Sequence, residues 1–179
     1  IDDYAIVFDF PMTIQLNGIL PIVNNSSIPV NITIGNSGST PTVTIDGNNG
    51  DYRGFFIPMG NVTIQNMNFQ NLTAKGGNGG DGISGGGGGM GAGGAIYAPE
   101  MFLNGLYPSI TLMNVSISDC SAVGGDGGSY NISSPTGSEG GGGGLGSRAN
   151  MGSPTNLGNG GIDQSDGQDG NGYGLAFTA

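Results

Sequence analysis

The chain has 179 residues, 40 of them glycine, and a formal net charge of −10 at pH 7. It holds only three Lys and Arg residues, too few to neutralise a phosphate backbone, so its composition argues against nucleic-acid binding. There is no His, which leaves no Ser/His or Cys/His nucleophile system and no His-ligated zinc site, and there is no apolar run long enough to span a membrane.

Short runs typical of β-strands, separated by turn residues, fill the first third of the chain. They follow one another too closely for a helix to fit between most of them. This spacing excludes a βαβ architecture and leaves a sandwich, a barrel or a solenoid. The runs are AIVFDF (residues 5–10), MTIQL (12–16), VNITI (30–34), TVTIDG (42–47) and GFFIP (54–58).

An internal repeat favours the solenoid. Residues 61–80, NVTIQNMNFQNLTAKGGNGG, align without gaps on residues 109–128, SITLMNVSISDCSAVGGDGG, at an offset of 48. In both copies apolar residues alternate, break once and then resume, as two short strands meeting at a corner would require. Such a unit buries its apolar edge by stacking on another copy, which predicts a parallel β-solenoid. Two similar hairpins of a β-sandwich are the alternative interpretation.

Three residues of this repeat have predicted positions. Asn66 and Asn114 are expected at equivalent corners, because Asn tolerates the left-handed backbone of a tight corner and stacked Asn side chains can form a hydrogen-bonded ladder. Cys120 occupies the position of the apolar Leu72 and is therefore expected to be a core thiol.

Residues 12–128 resemble the passenger region of bacterial surface β-helix proteins, above all polymorphic outer-membrane autotransporters and pectate-lyase-like adhesins. The motifs that carry the resemblance are TIDGN at residues 44–48 and GGAI at residues 93–96. The resemblance implies a right-handed parallel β-helix that is exported and usually adhesive.

The run from Gly76 to Ile96 has glycine at every third position from Gly76 to Gly94, and a shorter echo runs from Gly137 to Gly146. A period of three suits polyglycine-II rods whose backbones are crowded on one face. A disordered linker is the alternative. Both glycine-rich runs follow the same repeat unit, which favours ordered insertions at a common corner.

The expected organisation has two parts. Residues 1–123 form β-solenoid coils that are interrupted by a glycine-rich insertion at 76–94. Residues 124–179 form a glycine-rich acidic segment that packs on the solenoid or is partly disordered.

One segment matches a metal-binding pattern. Residues 76–84, GGNGGDGIS, fit the calcium nonapeptide G-G-x-G-x-D-x-U-x, which makes Asp81 a candidate calcium ligand. The aligned position in the second repeat is Ser129. Asp163, Asp166 and Asp169 in the tail are interpreted as a solvated acidic loop. No other cofactor is predicted.

No catalytic residue is assigned. A β-helix polysaccharide lyase would need a basic residue for proton abstraction, and Arg53 is the only candidate near acidic residues. Its high pKa makes Arg a reluctant base, so pairing with Asp51 at a turn is the favoured interpretation.

Seven Asn-x-Ser/Thr sequons are candidate glycosylation sites. They lie at Asn24, Asn25, Asn31, Asn61, Asn71, Asn114 and Asn131.

The sequence thus predicts a non-enzymatic extracellular or cell-surface protein, an adhesin-like β-helix module that acts by display and contact with host surfaces or carbohydrates. One alternative is the structural protomer of an extracellular filament, which self-associates by solenoid stacking or glycine-rich packing. A second is a carbohydrate-active β-helix enzyme.

Overall fold

The computed structural model describes residues 3–23, 31–36, 38, 43–81, 85–99 and 107–130. The expectations for Asn24, Asn25, Asn131, the glycine echo at 137–146 and the three tail aspartates lie outside these residues.

The described residues are all-β and contain no helix, as the sequence predicts, and therefore no helix that could cross a membrane. Strand propensity comes from the Val, Ile, Thr and Phe of each run, and Gly, Asn or Pro ends each run. The strands are β1 (Asp3–Val7), β2 (Met12–Gln15), β3 (Asn31–Gly35), β4 (Val43–Asp46), β5 (Phe55–Phe56), β6 (Asn61–Gln70), β7 (Thr73–Lys75), β8 (Ile96–Tyr97), β9 (Ser109–Ser118) and β10 (Ser121–Val123).

The chain divides into two compact units. The first comprises Ile1–Thr73 and Gly93–Ser121, and the second comprises Ala74–Ala92 and Ala122–Ala179. The second unit therefore combines glycine-rich sequence from two separate parts of the chain.

The first unit contains a two-stranded parallel sheet, β5 with β8, and a larger curled parallel sheet. Its strands follow the order β1-β3-β6-β4-β2, and β9 pairs with β6. The first half of β6 pairs with β3 and its second half pairs with β4, so both halves of one ten-residue strand receive a shorter partner. β9 lies along the whole of β6 in the register Asn61↔Ser109, which is the predicted offset of 48. The pairing is parallel, so the interpretation of two similar hairpins is wrong.

The alternation of apolar residues along β6 builds the core. Val62, Ile64, Met67 and Phe69 are fully buried, whereas the residues between them are not. The Phe69 ring meets the Phe55 ring edge-to-face, with the ring centroids 5.9 Å apart. In-register parallel pairing places the apolar residues of neighbouring strands in columns, and each column continues the core by one strand.

Both asparagines that the sequence predicts at corners have left-handed backbone. Asn66 interrupts β6 with a φ of 54°, and Asn114 interrupts β9 with a φ of 51°. A left-handed residue turns the strand direction without a loop, and Asn accepts this conformation more readily than other non-glycine residues do. One ten-residue strand thereby supplies two shorter strands with buried apolar faces.

Both sequence motifs perform structural roles in the first unit. Gly47 of TIDGN lies so close to the Asn71 carbonyl that a Cβ atom would overlap it, and its N–H donates to the Gln70 carbonyl at 2.9 Å. Gly94 of GGAI is packed in the same way against the Ser121 carbonyl. These glycines permit close approach between neighbouring turns of the chain.

Three extended segments form the described part of the second unit: the first glycine segment (residues 74–81), the second (85–92) and the third (122–130). Hydrogen bonds connect them in a closed cycle. The first segment donates to the third, the third to the second and the second to the first. Each segment donates from two residues three positions apart: Gly76 and Gly79, Gly125 and Gly128, Gly86 and Gly89, with N···O distances of 2.8–2.9 Å.

The residue pairs also define direction. The first and third segments run parallel, because Gly76 pairs with Val123 and Gly79 with Asp126. The second segment runs antiparallel to the first, because Gly86 pairs with Gly80 and Gly89 with Gly77.

Close approach of these segments requires glycine at every third residue. A Cβ atom at these positions would overlap a main-chain carbonyl of a neighbouring segment. They are Gly76, Gly79, Gly85, Gly88, Gly91, Gly125 and Gly128. In the first two segments these residues belong to the predicted triplet frame, whereas Gly87, outside the frame, has open space around its Cβ position.

Candidate functional site

The outward side of the curled sheet carries a dense array of amide and hydroxyl groups, which we call the polar face. It results from the same alternation that fills the core, because every second residue of a strand points away from it. The polar face comprises Thr13, Gln15, Asn31, Thr33, Thr44, Asp46, Asn61, Thr63, Asn68, Gln70, Ser109, Thr111, Ser116 and Ser118.

The corner asparagines form a ladder between the two halves of this face. Asn114 Nδ2 donates to Asn66 Oδ1 at 2.9 Å, and Asn66 Nδ2 donates to the Asn36 carbonyl at 2.7 Å. Asn36 Nδ2 continues the ladder to the Phe8 carbonyl at 3.0 Å. Side-chain amides thus connect four successive passes of the chain through the sheet, at Phe8, Asn36, Asn66 and Asn114, as the predicted Asn ladder requires.

A second ladder marks the start of the strands. Asn61 Nδ2 donates to Asn31 Oδ1 at 3.2 Å, and Asn31 Nδ2 donates to Asp3 Oδ1 at 2.8 Å. Asn31 and Asn61 both belong to sequons of the form Asn-x-Thr. In a strand this spacing places Asn and Thr outward and the intervening apolar residue inward, so strand alternation by itself accounts for these two sequons.

The four described sequon asparagines all use their Nδ2 atoms. Asn31, Asn61 and Asn114 donate within the two ladders, and Asn71 donates to the Asp46 carboxylate at 3.4 Å. Nδ2 carries two hydrogens, so an attached glycan would leave one for the ladder. Glycosylation at these sites stays a prediction.

Asp46 on the polar face accepts hydrogen bonds from three neighbouring residues. Gln70 Nε2 donates to its Oδ2 at 2.7 Å, and the Asn48 N–H donates to its Oδ1 at 2.9 Å. These two hydrogen bonds, with that from Asn71, lower the pKa of Asp46 below its ordinary value of 3.8, against the opposing effect of burial. The negative charge of Asp46 is therefore retained well into the acidic range.

A second pair of corner residues was missed in the sequence. Asn71 and Asp119 have φ values of 54° and 52°, and they are separated by the same offset of 48 as the predicted corner pair. The signal was available, since both residues belong to the Asn/Asp class that tolerates left-handed backbone.

Asp81 lies in the first glycine segment, where its Oδ1 accepts the N–H of Ser129, the residue that aligns with it in the repeat. Asn78 Oδ1 accepts the N–H of Asp126 at 2.8 Å in the same manner. Both side chains therefore join the two parallel glycine segments. The described residues include no group of three His, Cys, Asp or Glu side chains that could hold a metal ion. The assignment of Asp81 as a calcium ligand stays a prediction.

Arg53 lies in the interior, with 5% of its surface exposed. Its guanidinium carbon is 5.0 Å from the centroid of the Phe56 ring, a cation–π arrangement. Phe56 in turn stacks on Tyr97 with centroids 5.3 Å apart. Arg53 thus packs on the aromatic column that β5 and β8 build.

Cys120 is half-buried and packs against the core, as its equivalence with Leu72 predicts. Its Sγ lies 3.1 Å from the Ser118 carbonyl oxygen, which is its nearest hydrogen-bond acceptor.

The polar face combines two properties that matter for recognition. Its donors and acceptors are uncharged except at Asp46 and at Asp3, which ends the column of Asn31 and Asn61, and parallel pairing repeats them at the interstrand spacing of about 4.8 Å. Such an array can exchange hydrogen bonds with a ligand rich in hydroxyl groups. Comparison with family models, with curated proteins and with solved structures found no match to this chain.

Proposed function

We propose that this protein is a non-enzymatic extracellular module, a right-handed parallel β-helix that acts by display and contact in the manner of an adhesin. Three observations support a β-helix: parallel register, strand columns shared by successive passes, and corners made by single left-handed residues. Right-handedness follows from the strong preference of parallel crossover connections for that hand. The glycine segments are proposed to be polyglycine-II rods inserted at a corner.

The observation that carries the functional proposal is the polar face. A sheet with one buried face and one outward array of Asn, Gln, Ser and Thr is rigid, because each strand is fixed by its neighbours. Binding to a rigid array costs little ordering entropy, and amide and hydroxyl groups pair with sugar hydroxyls without desolvating a full charge. Surface carbohydrate is therefore the proposed ligand class.

Glycan-array binding by the purified chain tests this proposal. The variant Thr63→Val with Thr111→Val removes two neighbouring hydroxyls of one column and keeps β-branched side chains, which strand geometry favours. We expect measurable binding by the wild type and a loss of roughly tenfold in affinity for the double variant, as expected when two hydrogen bonds are removed.

Tyr107→Phe is the matched control, because it removes an exposed hydroxyl that does not belong to the polar face. Equal losses for the control and the double variant would contradict the proposed face. Absence of binding to every glycan and to intact cells would contradict the contact function itself, and turnover of a polysaccharide would favour the carbohydrate-active alternative.

A further inference from the structure

The two outermost passes of the curled sheet expose apolar residues whose register partners on the inner passes are buried more deeply. Leu112 on β9 is 48% exposed, whereas Ile64, its register partner on β6, is 0% exposed. Ile6 on β1 is 51% exposed, whereas its register partner Ile34 on β3 is buried. Ile117 repeats this contrast with the buried Phe69, and Tyr4 is 59% exposed where its register partner Ile32 is partly buried.

These side chains are exposed because the columns end there. Within the part of the chain that the structure describes, β9 has a strand partner only on its β6 side, β1 only on its β3 side and β2 only on its β4 side. Each end thus combines an unpaired parallel edge with apolar side chains, and such edges associate with other strands unless something covers them.

The two ends are complementary to one another in length. β1 has five residues and β2 has four. β9 offers a five-residue half, 109–113, and a four-residue half, 115–118, on either side of Asn114, and these halves are the ones that pair with β6.

The apolar positions are complementary as well. If the register of the sheet continues across the interface, β1 and β2 of a second copy would place their inward residues next to those of β9. The four pairs so formed are Tyr4 with Ile110, Ile6 with Leu112, Met12 with Val115, and Ile14 with Ile117.

The polar columns add no repulsion to this match. In the same register Asp3 of the second copy would lie beside Ser109, whose hydroxyl can donate to a carboxylate. Asp119 directly follows β9, and Leu16 directly follows β2. In the same register the Asp119 carboxylate would therefore lie next to Leu16 of the second copy and away from the acidic residues of that copy.

We propose that the β9 end of one molecule binds the β1–β2 end of a second copy in this parallel register. The interface joins two different surfaces, so each bound molecule presents a new copy of both ends, and growth is open-ended. The proposal concerns the ends of the sheet and is independent of carbohydrate contact by the polar face.

Blocking each end separately tests the register. Leu112→Lys places a charge in the apolar column of the β9 end, and Ile6→Lys does the same at the β1 end; both positions are about half exposed, so the monomer fold should tolerate the change. Thr111→Lys and Ala5→Lys are matched controls that put the same charge on the outward side of the same strands.

Sedimentation velocity over a range of protein concentrations, at an ionic strength of about 0.15 M so that surface charges are screened, gives the readout. We expect the wild type and both controls to form assemblies whose mass grows with concentration. Each apolar-column variant alone should require at least roughly tenfold more protein for the same association. A one-to-one mixture of the two variants should form dimers and stop there, because only one productive pair of ends remains.

The mixture also shows that both variants are folded, since unfolded chains would not pair. A wild type that stays monomeric overturns the proposal, and this is the result expected if any other occupant covers the two ends. Assemblies that persist in both variants, a wild type that stops at a dimer, or a mixture that fails to associate would also overturn it. Glycan binding measured on Leu112→Lys and Ile6→Lys, whose positions do not belong to the polar face, separates this outcome from the proposed contact function.

Discussion

Every third residue of the glycine segments lies against neighbouring main chain, and Gly88→Ala tests this steric constraint. A Cβ atom at residue 88 would overlap the carbonyl of Gly125 and lie 2.8 Å from the carbonyl oxygen of Asp126. Both neighbours are main chain, so relief requires the second and third segments to move apart. Gly87→Ala is the matched control, because it adds the same atom one residue away into open space.

The expected effects have opposite signs. Separating the second and third segments weakens the hydrogen bonds from Gly125 to Gly89 and from Gly128 to Gly86, which have N···O distances of 2.9 and 2.8 Å. At about 1 kcal/mol for each bond, plus lost packing, Gly88→Ala should destabilise the segments by about 2–3 kcal/mol. Gly87→Ala should stabilise them by about 0.4–1 kcal/mol, because alanine reduces the freedom of the unfolded chain.

Amide hydrogen exchange measures this locally. The amides of Gly76, Gly79, Gly125 and Gly128 donate between segments and should be protected in the wild type. Gly88→Ala should accelerate their exchange by roughly 30-fold or more, and Gly87→Ala should leave it unchanged or slower. Equal exchange rates in the two variants, or protection unaffected by Gly88→Ala, would refute the close-packed cycle of segments.

Three further predictions concern the first unit. Asn66→Ala should lower the free energy of unfolding by about 2 kcal/mol in denaturant titrations, because it loses the ladder and strains a φ of 54°, and Asn66→Gly should lower it less because it relieves the backbone. Phe69→Ala should cost about 3–5 kcal/mol, whereas Ile117→Ala, at the half-exposed position in register with it, should cost less than about 1 kcal/mol; similar losses in thermal unfolding would contradict the buried column. Asp46 has a lowered folded-state pKa, so its ionised form adds stability that is fully present above its unfolded-state pKa and is lost as the pH falls through its folded-state pKa. The difference in unfolding free energy between wild type and Asp46→Asn should therefore shrink across that acidic window. A difference that is independent of pH would refute the assignment.

The repeat predicted from sequence appears in the structure residue for residue. The pairing Asn61↔Ser109 could be read from the sequence because β6 and β9 have the same apolar columns and the same corner residue. The earlier passes could not be aligned in this way. β3 is offset by 30 residues from β6 and β4 by 24, because loops of different length separate the strands. Apolar alternation predicts which face of a strand is buried, but it carries no information about the lengths of the loops between strands.

The glycine segments show a different limit. The triplet frame identified Gly76, Gly79, Gly85, Gly88 and Gly91 as residues that need close approach, because a steric requirement leaves a trace in the sequence. The direction in which each segment runs leaves no such trace in the sequence. A glycine has no side chain, so a parallel and an antiparallel neighbour demand the same residue. The antiparallel course of the second segment is known only from its hydrogen bonds.

The candidate site was predictable in chemical type and not in arrangement. Alternating Asn and Thr indicate an outward polar array. The hydrogen bonds at Asp46, however, come from Gln70 and Asn71, which lie 24 and 25 residues further along the sequence. Which polar groups meet is determined by the same unequal offsets between passes.

Those unequal offsets have a consequence for how the molecule can vary. Paired strands of neighbouring passes are offset by 24, 30 or 48 residues, yet all of them keep their apolar columns in register. Extra chain therefore enters between strands without altering the strands themselves. Insertions and deletions in related genes should cluster between the paired strands, and ends of strands followed by a left-handed corner are the natural points at which to graft foreign sequence onto this scaffold.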